Sequence, residues 1–524
     1  MDNRGVWYIW VKMKTIKLLL ACIVTFGISY FYLSYYRNAF YDLTADEGYI
    51  IYGAKRVLDG QIMYKDFFQF YPPGDFYLLA LMYKLFGYSF IVARETAVII
   101  DGLINTLLFY LSYKAIKSWY AVLPPLFFLI LGFPNWMQYS HYWSSMLFLF
   151  VSLVFFLNYL EQYKNAYLCL TGFFISITGL FLQTTGAYSA LLILLVLILE
   201  KRKEKGFAKQ LILFLTSISI PLIIAFGYLA FKGAFFDFIK EQYFTSKIYS
   251  EAGTFNPVTL YIKYFTYPYS VIFLLFIGIA ILCAIALIFF RDKLSNPVKI
   301  ILIGDIILFL NSSTRIDFDH ILVNSAMVFV IVLLPISWFL NFIKNKSKLL
   351  YKGSSVVWNL VAVSLVLWGL VSIKININNI KTHAIHLNFN GTQVWTFSEK
   401  QAWEIKEFFP KVEEDLHGEK DVFVYPYCPL IYVLFDFNNP AFVDLIPNMM
   451  DVPDYGEYSF NRAVNDLIKH KTQYIIYCNL PQDYINYVLA LEKKQYQVNV
   501  LDEFIGSYYI PVLRVNNLIL YKKR

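Results

Sequence analysis

Long apolar runs separated by short basic loops fill the first 375 residues of the chain. A helix that crosses a bilayer needs about 20 apolar residues. Runs of this kind fall at 16–36, 93–113, 119–138, 142–160, 166–184, 186–200, 208–230, 268–290, 297–312, 321–343 and 354–374, which predicts about eleven spans. The apolar segment 75–88 (DFYLLALMYKLFGY) is shorter, and charge decides its place. Basic residues cluster at Lys12/Lys14/Lys17, at Lys114/Lys117, at Lys201, Arg202, Lys203, Lys205 and Lys209, at Arg291/Lys293, and at Lys344, Lys346, Lys348 and Lys352. If 75–88 does not cross, all of these lie on one side, which the positive-inside bias makes the cytoplasm. The segment therefore reads as an interfacial or re-entrant helix, and the N-terminus as cytoplasmic. The outer regions are then the loop 37–92, the connector 231–267 and everything after about 375.

Beyond that point the period changes. Strand-like runs at 421–425 and 474–477 alternate with amphipathic helical stretches at 398–408, 458–470 and 482–495. That pattern predicts a small soluble α/β domain. The expected architecture is an all-α polytopic membrane domain over 1–375 with an extracytoplasmic α/β domain over 376–524.

Composition narrows the function classes. The chain is 58% hydrophobic and 16% charged, against about 25% charged in soluble proteins. The net charge of +8 comes from basic loops between spans, so it points to membrane topology and not to nucleic acid. Cys22, Cys169 and Cys283 sit in apolar segments, whereas Cys428 and Cys478 follow strand-like runs. The latter two are able to pair only if their domain is outside the cytoplasm. No metal motif, Gly-rich phosphate loop or nucleophile elbow occurs in the C-terminal part.

The densest chemical signal is 41–76, YDLTADEGYIIYGAKRVLDGQIMYKDFFQFYPPGDF. Within it, 48–59 has Tyr49, Ile50, Gly53, Ala54, Val57 and Leu58 on one helical face and Lys55, Arg56 and Asp59 on the other. Such a helix is expected to lie in the membrane surface, with Asp46 and Glu47 where a lipid phosphate would sit. Glu47 has two readings: a capping-box partner of Thr44, or a catalytic acid. Asp46 is placed to act as general base toward an acceptor hydroxyl, or as a ligand for a divalent cation.

An acidic pair after the first span, a juxtamembrane helix, a Pro72-Pro73-Gly74 turn and a second interfacial helix resemble the GT-C membrane glycosyltransferases. The similarity is nearest to bacterial relatives of the protein O-mannosyltransferases and of the lipid A aminoarabinose transferases. It implies about eleven spans with an outer soluble domain, a polyprenyl-phosphate sugar as donor and inversion at the anomeric carbon. It also implies a catalytic acid at Asp46, with Glu47 beside it. The acceptor is then a lipid, a glycan or a protein. The aminoarabinose transferases have Lys where this chain has Tyr71, and some relatives have an acid in the turn that here carries Asn135 and His141.

Other polar groups fall at the predicted outer face. Arg94 opens the second span, and Arg315 and His320 lie in STRIDFDH between the ninth and tenth spans. The two arginines are candidates for a bidentate phosphate clamp, with Tyr71, His141 and His320 as further substrate contacts. The other reading of each arginine is an interfacial charge paired with an acid or a headgroup. Asp101 and Asp305 lie within spans and must face the protein interior. Three rival functions stay open: a glycan ligase or polymerase using a diphosphate-linked lipid, a lipid-glycan transporter, and a catalytically inactive relative that only binds lipid or partners.

Overall fold

The structure, a computed structural model, describes residues 3–43, 46–136, 138–201, 206–251, 269–312, 318–389, 391–444, 453–478 and 499–524. Helices dominate. Helix α1 (Asn3–Ser34) leads into the short α2 (Asp46–Leu58) and α3 (Gly74–Phe86), then the long α4 (Phe90–Ile116). There follow α5 (Leu123–Leu131), α6 (His141–Gln162), α7 (Asn165–Phe181), α8 (Gln183–Lys201), α9 (Phe207–Phe231) and α10 (Phe235–Glu251).

Among the described residues, 8 helical segments are long and apolar enough to cross a membrane. The other predicted spans are helices Asn165–Phe181, Tyr269–Phe289 and Asn296–Ser312. The chain is a multi-pass membrane protein. Leu19, Leu20, Ile23 and Val24 on α1 are exposed, as are Leu360, Leu367 and Leu370 on helix Lys348–His383. Exposed leucines on that scale need lipid around them. Helix α3 has 13 residues, about 20 Å of helix, too short to span.

One span boundary moves. The span predicted at 321–343 begins later, because Phe318–Val323 is a separate short helix and the continuous apolar stretch runs Ala326–Lys346. At the break the Asn324 side chain donates to the His320 carbonyl at 2.8 Å. The connector 231–267 is helical in its first part. Helix α10 packs on the first loop, with the Phe238 and Tyr64 rings 5.0 Å apart and Gln242 donating to the Phe70 carbonyl at 3.3 Å.

The last long helix, Lys348–His383, leads directly into a hairpin of β1 (Ile385–Phe389) and β2 (Thr392–Thr396). This hairpin is tied to the end of α1, since Phe40 donates to the Trp395 carbonyl and Trp395 to that of Asn38. Helix Glu399–Leu416 then precedes a four-stranded sheet in the order β3-β4-β6-β5. Strand β3 (Val422–Tyr425) runs parallel to β4 (Tyr474–Cys478), while β5 (Tyr509–Val515) and β6 (Leu518–Lys523) close it as an antiparallel pair. The predicted strands 421–425 and 474–477 thus become neighbours, and the predicted helix 482–495 lies outside the described residues. Cys428 and Cys478 are both buried and unbridged.

Candidate active site

Helix α2 does not lie open on a surface. Residues Glu47 to Ala54 and Arg56 are all buried, because the C-terminal domain covers the face that reads as polar. A Cβ on Gly48 would overlap the backbone of Leu430, so glycine permits helix Leu430–Leu434 to lie directly on α2. The Tyr52 and Tyr432 rings stack at 4.5 Å, and the Asn439 amide donates to the Tyr52 hydroxyl at 2.6 Å. Arg56, expected on the polar face, donates to Asp444 at 2.5 Å and to the Ala441 carbonyl at 3.2 Å.

The acidic pair at the start of α2 splits into two environments. Glu47 is buried against Arg94 of α4, with Nε to Oε1 at 2.5 Å and Nη2 donating to Oε2 at 2.7 Å. The Tyr139 amide donates to the same carboxylate at 2.8 Å. Burial pushes the Glu47 carboxyl up, and Arg94 and the Tyr139 amide pull it back only in part. Arg94 is packed against the Phe90 and Tyr41 rings, 4.9 and 5.7 Å from its guanidinium carbon. Glu47 and Arg94 are thus closed on each other. Asp46 is half-buried and accepts a hydrogen bond from the Tyr427 hydroxyl of the C-terminal domain.

The turn that binds Glu47 also carries the aromatic residues of the site. His141 opens α6 behind its cap Ser140, and its ring lies 4.2 Å from Tyr71 and 4.4 Å from Tyr142. The Tyr142 ring lies 4.9 Å from His320, which is 5.1 Å from Trp136. Tyr71, His141 and His320 are therefore members of one connected ring cluster, drawn from three distant parts of the sequence. Among the described residues the buried His141 Nδ1 has no hydrogen-bond partner. Flat rings with a polar nitrogen suit the faces and hydroxyls of a sugar. Arg315 lies outside the described residues.

The sequence reading passed over Asp75, which is buried in the first turn of α3 and accepts from the Ser144 hydroxyl at 2.6 Å. Burial pushes its carboxyl up to about 7, with the Ser144 hydrogen bond opposing. The only sequence signal was an acid directly after Pro72-Pro73-Gly74, which looks like an ordinary first-turn acid facing a helix dipole. Tyr427 left no signal at all, since its partner Asp46 is 381 positions away.

Among the described residues, no side-chain set able to hold a divalent cation is assembled: no three His, Cys, Asp or Glu side chains come together. Glu47, the natural second ligand beside Asp46, is engaged by Arg94.

No protein-family model matches the chain, and no curated protein matches it. Solved structures do match along its whole length. ArnT from Cupriavidus metallidurans bound to undecaprenyl phosphate superposes with a TM-score of 0.55 at 14% identity, covering 97% of both chains. The same protein in the apo state gives 0.50 at 13% identity over 98% of each. The Archaeoglobus fulgidus oligosaccharyltransferase in complex with zinc and sulfate gives 0.51 at 12% identity, over 95% of this chain and 73% of that one. Over nearly its whole length the chain shares the fold of these proteins, the GT-C fold.

Proposed function

We propose that this protein is a membrane glycosyltransferase that moves a sugar from a polyprenyl-phosphate donor to an acceptor hydroxyl, inverting the anomeric carbon. The reaction takes place on the extracytoplasmic face of the plasma membrane. Residues 1–375 form the membrane domain, and 376–524 the extracytoplasmic domain that covers the site. The acceptor oxygen attacks the anomeric carbon, the bond from that carbon to the phosphate oxygen breaks, and Asp46 takes the acceptor proton. The polyprenyl phosphate leaves with the bonding pair, and Arg315 is assigned to it as a bidentate partner.

The observation that carries this reading is the division of the acidic pair. Glu47 is shut into an ion pair with Arg94, while Asp46, next to it, keeps a half-buried carboxylate. The pair thereby fixes the first turn of α2 and leaves Asp46 to do chemistry. The ring cluster of Tyr71, His141 and His320 supplies faces against which a sugar can rest.

The test is a panel of polyprenyl-phosphate and polyprenyl-diphosphate sugars offered to the purified protein with a membrane extract as acceptor source. Mass spectrometry follows the free lipid phosphate. Release of polyprenyl phosphate from one monophosphate donor is expected. Release only from diphosphate donors would move the protein to the ligase class, and release from neither would overturn the reading.

A further inference from the structure

Among the described residues, one side chain of the C-terminal domain hydrogen-bonds to the acidic pair. Tyr427 lies in the segment joining β3 to helix Leu430–Leu434, and its hydroxyl donates to Oδ1 of Asp46. Among the described residues this is the only hydrogen bond to Asp46. A carboxylate at the first position of a helix, half-exposed and held by nothing else, rotates freely. One charge-assisted hydrogen bond selects a single rotamer. Because Oδ1 is occupied by the phenol, Oδ2 is the oxygen left to face an acceptor.

The segment carrying Tyr427 is held at both ends. Just ahead of it, the Val424 amide donates to the Tyr432 hydroxyl at 2.7 Å, so β3 is pinned to the helix that follows. Just after it, Leu430 lies on Gly48, and Tyr432 stacks on Tyr52. The Arg56–Asp444 pair, both side chains buried, fastens the far end of α2 to the same domain. Asp444 accepts in turn from the Asn439 side-chain amide at 2.8 Å. The phenol therefore sits on a support that is rigid relative to α2. It is an extension of the site, not a surface side chain that happens to fall near it.

We propose that Tyr427 is a positioning residue: its phenol orients the Asp46 carboxylate for proton abstraction, so that the C-terminal domain completes the active site. This rests on the glycosyltransferase reading with Asp46 as base. It assigns the soluble domain a direct part in the chemistry. A domain that served only to recognise the acceptor would change acceptor affinity and leave the turnover of a saturated enzyme alone.

The experiment uses the full-length protein in liposomes with the donor found in the panel, comparing wild type, Tyr427→Phe, Asp46→Glu and the double variant. Tyr427→Phe keeps the ring and removes only the hydroxyl. It should lower kcat by about 10- to 100-fold, the scale of losing one oriented hydrogen bond at a reacting group. The KM for donor and the thermal unfolding temperature should be unchanged. In the Asp46→Glu background, where the carboxylate has already moved, removing the hydroxyl should cost much less. A Tyr427→Phe enzyme with wild-type kcat overturns the proposal and leaves the glycosyltransferase reading standing. A faster enzyme also overturns it, since the phenol would then be obstructing the base. Equal, additive losses in both backgrounds would make Tyr427 a structural residue only. A wild-type protein that consumes no donor removes the underlying reading and the proposal with it.

Discussion

Substituting Arg94 by Leu strands the Glu47 carboxylate in the protein interior. Both side chains are closed off from solvent, at 1% and 0% exposure. Breaking such a pair costs about 3–5 kcal/mol, because the remaining charge has neither water nor a counter-ion. Most of that cost is the charge itself, so it can be removed without restoring the arginine. In Glu47→Gln/Arg94→Leu the amide oxygen still accepts from the Tyr139 amide, and leucine still packs on the Phe90 and Tyr41 rings. The double variant should lie within about 1.5 kcal/mol of wild type, as a shape-conserving replacement does. It should therefore be more stable than the single variant by roughly 2–4 kcal/mol.

The pH dependence carries the same signature. Burial already holds the Glu47 carboxyl above its ordinary value, and loss of Arg94 raises it further. A carboxyl raised in the folded state binds its proton more tightly folded than unfolded, so stability is lost as pH rises above the unfolded value of about 4.3. Arg94→Leu should thus recover toward the double variant when the pH is lowered to about 4. The double variant, with no carboxylate there, should show no such recovery. The assay is unfolding in mixed micelles titrated with sodium dodecyl sulfate, read by fluorescence of the 10 tryptophans. A single variant as stable as wild type, or a double variant no better than the single, would refute the argument. Either result would mean that water reaches Glu47.

Three further outcomes follow from the same geometry. Asp75, held at about 7 against about 3.9 unfolded, should make wild-type stability fall between about pH 4 and 7 and level off above. Asp75→Asn should abolish that slope and melt higher than wild type at about pH 8, by up to about 4 kcal/mol from the difference of roughly 3 pH units. Gly48→Ala forces a methyl into the Leu430 backbone. It should cost about 1–3 kcal/mol by overpacking and expose the C-terminal domain to limited proteolysis. Arg56→Met leaves Asp444 buried without its cation, and about 3–5 kcal/mol should appear as loss of the same docking in the same protease assay.

The membrane domain was legible because a span needs only length and apolarity, which a single segment displays by itself. The basic loops and the two strand-like runs at 421–425 and 474–477 were readable on the same local terms. Helix α2 was readable as a helix but not as a buried one. Arg56 looks like a solvated charge until Asp444, 388 positions later, folds against it. Helix Lys348–His383 continues about ten residues past the apolar part, through the polar stretch from Lys374, so hydropathy placed the end of the span but not of the helix, and the hairpin Ile385–Thr396 that follows it was missed. In the site, Asp46 and Glu47 were visible as a pair, yet adjacent carboxylates have identical sequence signatures. Their different environments come from Arg94, Tyr139 and Tyr427, none of which is near them in the chain. Tyr71, His141 and His320 were each assigned to one membrane face by counting spans. That they touch through Tyr142 depends on helix packing, which the pattern does not encode.

Whether Asp46 is the base is decided by comparing wild type with Asp46→Asn on the single donor that the wild-type protein consumes. Donor binding and lipid phosphate release are followed on the same liposomes. The variant should bind the donor as wild type does and release no polyprenyl phosphate above background. Equal release by the two proteins would contradict it, since the proton of the acceptor hydroxyl would then be taken by a group other than Asp46.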